Sequence, residues 1–102
     1  MPLNNAVSTD GKSVTIKIDG SFDFKLHREF RDAYSQNKGA SIKFVVDLSN
    51  TTYMDSSALG MLLLLREHVG GDASRVMIVN RNPDIKKIFE ISNFHQLFEF
   101  KK

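Results

Sequence analysis

Cysteine is absent from the 102 residues, which removes disulfide frameworks, zinc knuckles, redox pairs and thiol nucleophiles in one step and suits a reducing cytoplasm. No apolar run approaches membrane length: the longest, Ala58 to Leu65, falls far short of the ~20 residues that a spanning helix needs. The opening residues Met1-Pro2-Leu3-Asn4-Asn5 carry no basic segment ahead of an apolar stretch. The expectation is therefore a cytoplasmic protein without a secretion signal or direct membrane contact. An excess of one charge is missing as well. Fourteen basic residues against twelve acidic ones leave +2, and the only basic doublets are Lys86-Lys87 and Lys101-Lys102. No stripe of cations tracks a phosphate backbone, so no nucleic-acid partner is expected. Internal repeats and linker-like Pro/Ser/Gly tracts are also lacking. What remains, 41% hydrophobic and 25% charged residues, is the composition of one compact domain able to bury roughly 60 to 70% of its unfolded surface.

Between Ser13 and Asp19, Val14, Ile16 and Ile18 alternate with Thr15 and Lys17, the period-two mark of a strand with one buried face. Asp10-Gly11 before it is a turn signal, so Leu3 to Ser8 is expected to form the first arm of a hairpin. From Phe22 the period changes. Phe22, Leu26, Phe30, Ala33 and Tyr34 line one side and Lys25, Arg28, Arg31 and Asp32 the other, which predicts an amphipathic helix stopped at Lys38-Gly39. Ile42 to Leu48 reads as an interior strand covered on both faces, and Ser49 to Tyr53 as a polar turn. Asp55-Ser56-Ser57 then opens a Leu-rich helix ended by Gly70-Gly71, because Asp and Ser side chains accept hydrogen bonds from the free amides of a first turn. Arg75 to Val79 is a further buried strand. Asn82-Pro83-Asp84 starts a helix whose Ile85, Ile88 and Phe89 face inward, and Leu97 to Phe100 closes the chain as a strand. The order β-β-α-β-α-β-α-β predicts an α/β domain spanning residues 1–102, with a mixed sheet of about five strands and helices packed mainly on one side.

In such sheets function gathers beyond the carboxyl ends of strands, and here that place holds Asp47-Leu48, Tyr53-Met54, Asp55-Ser56-Ser57 and Leu59-Gly60. This segment resembles the STAS domain family, and within it the single-domain anti-sigma factor antagonists, which carry Asp-Leu at a strand end, a short loop, Asp-Ser-Ser or Asp-Ser-Thr, and Gly-Leu-Gly at a helix start. Gly20-Ser21-Phe22-Asp23 matches the family's glycine and aspartate after the second strand, and Val79 through Phe94 looks like its fourth strand and last main helix. Ala58 stands where the family usually has glycine; alanine favours helix, so this change bears on partner fit more than on the fold. The resemblance implies a non-enzymatic switch. Ser56 would be phosphorylated by a GHKL-type serine kinase that doubles as the anti-sigma factor or a related regulator, and a metal-dependent serine phosphatase would reverse it. The unmodified form would bind the partner and the phosphorylated form release it, with transcription, stress, motility or biofilm outputs. The rival reading is a constitutive STAS subunit of a membrane transport ATPase complex.

Each site residue also has a plainer reading. Ser56 is either a helix N-cap or the phosphoacceptor, and Ser57 caps or bonds locally beside it. Asp23 either caps the first helix or makes a contact near Ser56. At about 100 degrees per residue, Ser56, Gly60, Leu64 and Glu67 share one helix face, with Leu63 at its margin and Met61 further round, while Ala58, Leu62, Leu65 and Val69 share another. The second face is assigned to the core. The first, with Asp23, Asp55, Ser57, Gly60, Met61 and Leu64, is assigned to a partner, Leu64 and Met61 forming an exposed apolar anchor; the alternative is a helix buried nearly all round. Phe94, Phe98 and Phe100 read as core and edge packing, with a dimer-supporting aromatic stripe as the alternative. His27, His68 and His95 have no metal spacing and no triad motif, and Gly-x-Ser-x-Gly and Walker-type loops are missing. No cofactor and no enzyme activity are expected.

Overall fold

A computed structural model describes residues 2–35, 42–72 and 75–101. The elements are β1 (Leu3–Val7), β2 (Ser13–Ile18), β3 (Gly20–Phe22), α1 (His27–Ser35), β4 (Lys43–Asp47), β5 (Thr51–Met54), α2 (Ser56–His68), β6 (Val76–Val79), α3 (Pro83–Ile91) and β7 (Glu99–Phe100), with one-turn 3₁₀ segments at Phe24–Leu26 and Phe94–Gln96. The main sheet has five strands in the order β1-β2-β4-β6-β7. Only the β1–β2 pair is antiparallel. This is the mixed five-stranded α/β architecture expected from the alternation of strands and helices, with two short strands added to it. The stop expected at Lys38-Gly39 lies outside the described residues.

The sheet is covered on one face. Val14, Phe44 and Val76 form one buried row across the strands, and Ile16, Val46 and Ile78 form the next. The helices bury their apolar faces in this same core. Thr15, Val45 and Met77, which alternate with those rows, are only half-buried. The strand expected to be covered on both faces at 42–48 is therefore covered on one. Val45, Met77 and Val79 made the runs look two-sided, but they lie on the open face, where Lys43 Nζ pairs with Glu99 Oε1 at 3.2 Å.

The stretch 20–26 departs from the expected helix. Phe22 belongs to β3, which runs parallel to β5 as a separate two-stranded sheet. Asp23 then starts a 3₁₀ turn by accepting a hydrogen bond from the Lys25 amide at 3.0 Å. Phe22, Leu26, Phe30, Ala33 and Tyr34 are nonetheless all buried, because the strand and the turn present the same side that a continuous helix would. β5 replaces the expected turn at 49–53. Its Thr51 is buried by donating its hydroxyl to the Ile18 carbonyl at 2.7 Å, and the Gly20 amide donates to Asn50 O at 3.0 Å. Gly20 enters β3 at φ +79°, a conformation that favours glycine.

α2 ends where expected. Gly70 and Gly71 both take φ +78°, and their amides donate to the Glu67 and Arg66 carbonyls at 3.0 and 2.8 Å, satisfying the last turn. α3 opens on Asn82, which accepts from the Asp84 amide at 2.9 Å, with Pro83 in the first turn. Phe94 and Phe98 are buried, and Phe100 stacks edge-on against Phe89 at 5.1 Å, so the C-terminal aromatics pack within the chain. Among the described residues no helix is long and apolar enough to cross a membrane.

The two leucine classes of α2 give a direct check of this packing. Leu62 is fully buried and Leu64 is 59% exposed. In urea unfolding, Leu62→Ala is expected to lose about 2–5 kcal/mol to a core cavity. Leu64→Ala is expected to stay within about 0.5 kcal/mol of the parent.

Candidate functional site

β3 and β5 run side by side, with Ser21 opposite Tyr53 and Phe22 opposite Met54. One residue beyond each strand the chain reaches an aspartate, Asp23 and Asp55, and the Asp55 amide donates to the Phe22 carbonyl at 3.4 Å. Register therefore sets the two aspartate positions at the same, carboxyl end of the small sheet. Both are turned onto the start of a helical segment. Asp23 Oδ1 accepts from the Lys25 amide at 3.0 Å. Asp55 Oδ1 accepts from the Ala58 amide at 3.2 Å and from the Ser57 hydroxyl at 2.5 Å. Such bonds satisfy amides that have no partner within the helix. Asp23 is thus a cap, the first of the two readings that its sequence position allowed.

The neighbouring serines differ in kind. Asp55 is the N-cap and Ser56 is the first residue of α2, so Ser56 is not the cap. It is exposed, and its hydroxyl has no hydrogen-bond partner among the described residues. Ser57 is half-buried and its hydroxyl is committed to Asp55. That hydroxyl, followed by the amides of Ala58 and Ser57, holds the Asp55 carboxyl below its ordinary value against a smaller opposing effect of burial. An ionised acceptor at a helix N-terminus is also favoured by the backbone dipole.

Beyond the first turn α2 presents two faces. Ala58, Leu62, Leu65 and Val69 are buried as expected, whereas Ser56, Gly60, Leu63, Leu64 and Glu67 are exposed. The helix is therefore not buried all round. Met61 requires a correction: at 6% exposure it belongs to the core, since it lies three residues after Ala58 and four before Leu65 and falls on their side of the helix. Leu64 at 59% and Leu63 at 38% exposure are the outward apolar residues instead. Ala58 is fully buried, so its methyl group lies in the core and not on the outer face expected to meet a partner. At Gly60 an added Cβ would meet nothing within 4 Å.

Two exposed aromatic residues flank the carboxylates, Tyr53 just before Met54 and Phe24 just after Asp23. Neither was singled out as a site residue in the sequence. The only signal was position, an aromatic within one or two residues of each capping aspartate. Among the described residues no group of three His, Cys, Asp or Glu side chains is arranged to hold a metal ion. A cavity of about 700 Å³ lies between α3, β6 and β7, floored by Ile78, Phe89 and Phe100, and none of its lining residues belongs to the serine segment.

The cap carries a pH signature. The Asp55 carboxyl has a lowered pKa in the folded state, so its stabilisation is present above its unfolded value of about 3.9 and is lost as pH falls through the lower folded value. Asp55→Ala is expected to cost about 1 kcal/mol at pH 7, with the difference from the parent shrinking below about pH 4. Urea unfolding of both proteins at neutral and acid pH measures it.

The family model for the Mlab, STAS domain matches residues 5–99. A STAS-domain containing protein of Pseudomonas aeruginosa is 50% identical over 99 residues, covering 97% of this chain and 98% of its own. The anti-sigma F factor antagonist of Lysinibacillus sphaericus is 25% identical over 83 residues, 79% of this chain and 71% of its own. Among solved structures, the Bacillus cell fate determinant SpoIIAA in its phosphorylated form superimposes with a TM-score of 0.66 at 19% identity, covering 98% of this chain and 91% of that one. With the five-stranded mixed sheet, the capped Asp-Ser-Ser helix start and a family match along nearly its whole length, the chain belongs to the STAS domain family.

Proposed function

We propose that this protein is a non-enzymatic phospho-switch of the cytoplasm. Unmodified, it docks an anti-sigma factor or a related GHKL-type serine kinase through the outer face of α2 and the adjoining end of β3 and β5; phosphorylated at Ser56, it releases that partner. A metal-dependent serine phosphatase would restore the binding form. The observation that carries this reading is the contrast between the serines. Ser56 offers an exposed, unengaged hydroxyl, whereas Ser57 is tied to Asp55. That contrast is the ground on which we prefer the switch to a constitutive subunit of a transport ATPase. The name of the Lysinibacillus sphaericus relative, an antagonist of an anti-sigma factor, supports the class of partner. The phosphorylated SpoIIAA structure supports a fold compatible with the modified state.

The chemistry of the site explains why one phosphate suffices. Transfer of a phosphoryl group from ATP to Ser56 Oγ brings roughly −1.5 to −2 charges to the first residue of a helix. There the free amides and the dipole tolerate an anion, so the fold persists. The same charge arrives next to Asp55, on the helix face that carries Gly60, Leu63 and Leu64 further along. A partner that packs closely must then bury a dianion beside a carboxylate. Desolvation and repulsion of a few kcal/mol weaken binding about a hundredfold. Gly60 contributes by its lack of a side chain. Nothing among the described residues requires glycine there, and glycine costs about 1 kcal/mol relative to alanine within a helix, so its value lies in letting a partner backbone approach.

Pull-down of the cognate anti-sigma factor kinase tests the switch. Ser56→Ala is expected to keep binding and Ser56→Asp to lose about a hundredfold; equal binding by both overturns the reading, as does native protein that never carries phosphate at Ser56 by mass spectrometry. Gly60→Ala separates docking from folding. It is expected to raise stability by about 0.5–1 kcal/mol while weakening partner binding, and unchanged affinity would remove Gly60 from the docking face.

A further inference from the structure

The main sheet has two edges of different character. β7 is two residues long, and short edge strands are one way in which proteins avoid unwanted pairing. β1 is five residues long, reads Leu3-Asn4-Asn5-Ala6-Val7, and contains no charge, no proline and no register shift. Among the described residues no strand lies on its outer side. Its residues from Asn4 to Val7 are exposed, Val7 to 55%.

The direction of its backbone groups follows from the two ends of the hairpin. The Asp19 amide donates to the Pro2 carbonyl at 2.8 Å, and the Ser8 amide donates to the Ser13 carbonyl at 2.9 Å. Residues 2 and 8 therefore point their backbone groups at β2. In an antiparallel ladder this alternates along the strand, so residues 4 and 6 also point inward and Leu3, Asn5 and Val7 direct their N–H and C=O groups outward. Their side chains stand on the helix side of the sheet, since they are paired with Ile18, Ile16 and Val14.

We infer that β1 pairs antiparallel with β1 of a second copy of this chain, about a two-fold axis at Asn5, to join the two sheets into one. The sequence is complementary to itself in this register. Asn5 faces Asn5 of the copy, Leu3 faces Val7, and Asn4 faces Ala6. Each outward residue of one strand meets an outward residue of the other, so each can donate one backbone hydrogen bond and accept one. The apolar ends meet on the helix side, which would cover the exposed Val7 with a leucine. A symmetric pairing sets each residue against its mirror position, so a lysine or glutamate in the strand would be brought near its own copy; this strand has neither. The axis is perpendicular to the sheet, which keeps the helix layers of both copies on one side and closes the assembly at a dimer. This pairing uses none of the serine-segment residues and holds or fails independently of the phospho-switch.

Sedimentation of the full chain from about 10 μM to about 1 mM, the range of weak association, tests it together with residue-resolved amide exchange. The expected result is a monomer–dimer equilibrium in which the amides of Leu3, Asn5 and Val7 gain protection as concentration rises. Asn5→Pro removes an outward donor without breaking the ladder to β2, and Asn5→Lys places like charges on the axis; each is expected to give a folded monomer. A parent that stays monomeric throughout overturns the proposal. So does a dimer whose Leu3, Asn5 and Val7 amides exchange freely, or one that survives in the folded variants.

Discussion

The pairing of β3 with β5 is the constraint on which the site depends. Beside the ladder itself, the Gly20 amide bonds Asn50 at one end and the Asp55 amide bonds Phe22 at the other, while the Thr51 hydroxyl ties β5 to Ile18 at the end of β2. The two short strands run parallel to one another as a sheet of their own. Because both end on an aspartate, the pairing delivers two caps to adjacent helical starts. Asp55 then fixes the first turn of α2 and engages the Ser57 hydroxyl, so that of the two serines at this helix start Ser56 is the one whose hydroxyl is unengaged.

The one-sided sheet sets the terms for α2. With a single face to cover, the helix layer needs only one buried side, and α2 supplies it with Ala58, Met61, Leu62, Leu65 and Val69. Its other side remains available. That side is neither strongly polar, as a merely solvated face would be, nor continuously apolar. Gly60, Leu63 and Leu64 lie between Ser56 and Glu67, a small apolar patch with a modifiable group at one end. Under the proposed switch, a charge added there would change what the surface can dock without touching the core that holds the helix in place.

Much of this was legible from residues alone. The alternation of Val14, Ile16 and Ile18 marked β2, and Asn82-Pro83-Asp84 marked the start of α3, because each signal is local and chemically specific. The Asp55-Ser56-Ser57 segment marked the start of α2 for the same reason. β3 and β5 were not legible. They have three and four residues, too few to display a period, and their pairing links positions about thirty residues apart, which no local pattern encodes. Phe22 misled because its step of four to Leu26 suits a helix and the observed strand-plus-turn equally. Thr51 looked like turn material because its burial depends on a distant carbonyl. Met61 was misplaced because α2 is apolar on much of its circumference, so spacing alone could not tell margin from core.

The claim at the centre is that phosphate on Ser56 alters a surface and spares the fold. Protein phosphorylated at Ser56 and its unmodified counterpart, compared by amide chemical shifts and thermal unfolding, test this most directly. A surface switch predicts shift changes confined to residues 22–25 and 54–60, with melting temperatures within about 4 °C, less than a loss of 1 kcal/mol would produce in a domain of this size. Shift changes spread through β2, β4 and β6, or a larger fall in melting temperature, would mean that the phosphate acts by disrupting the core, and would contradict it.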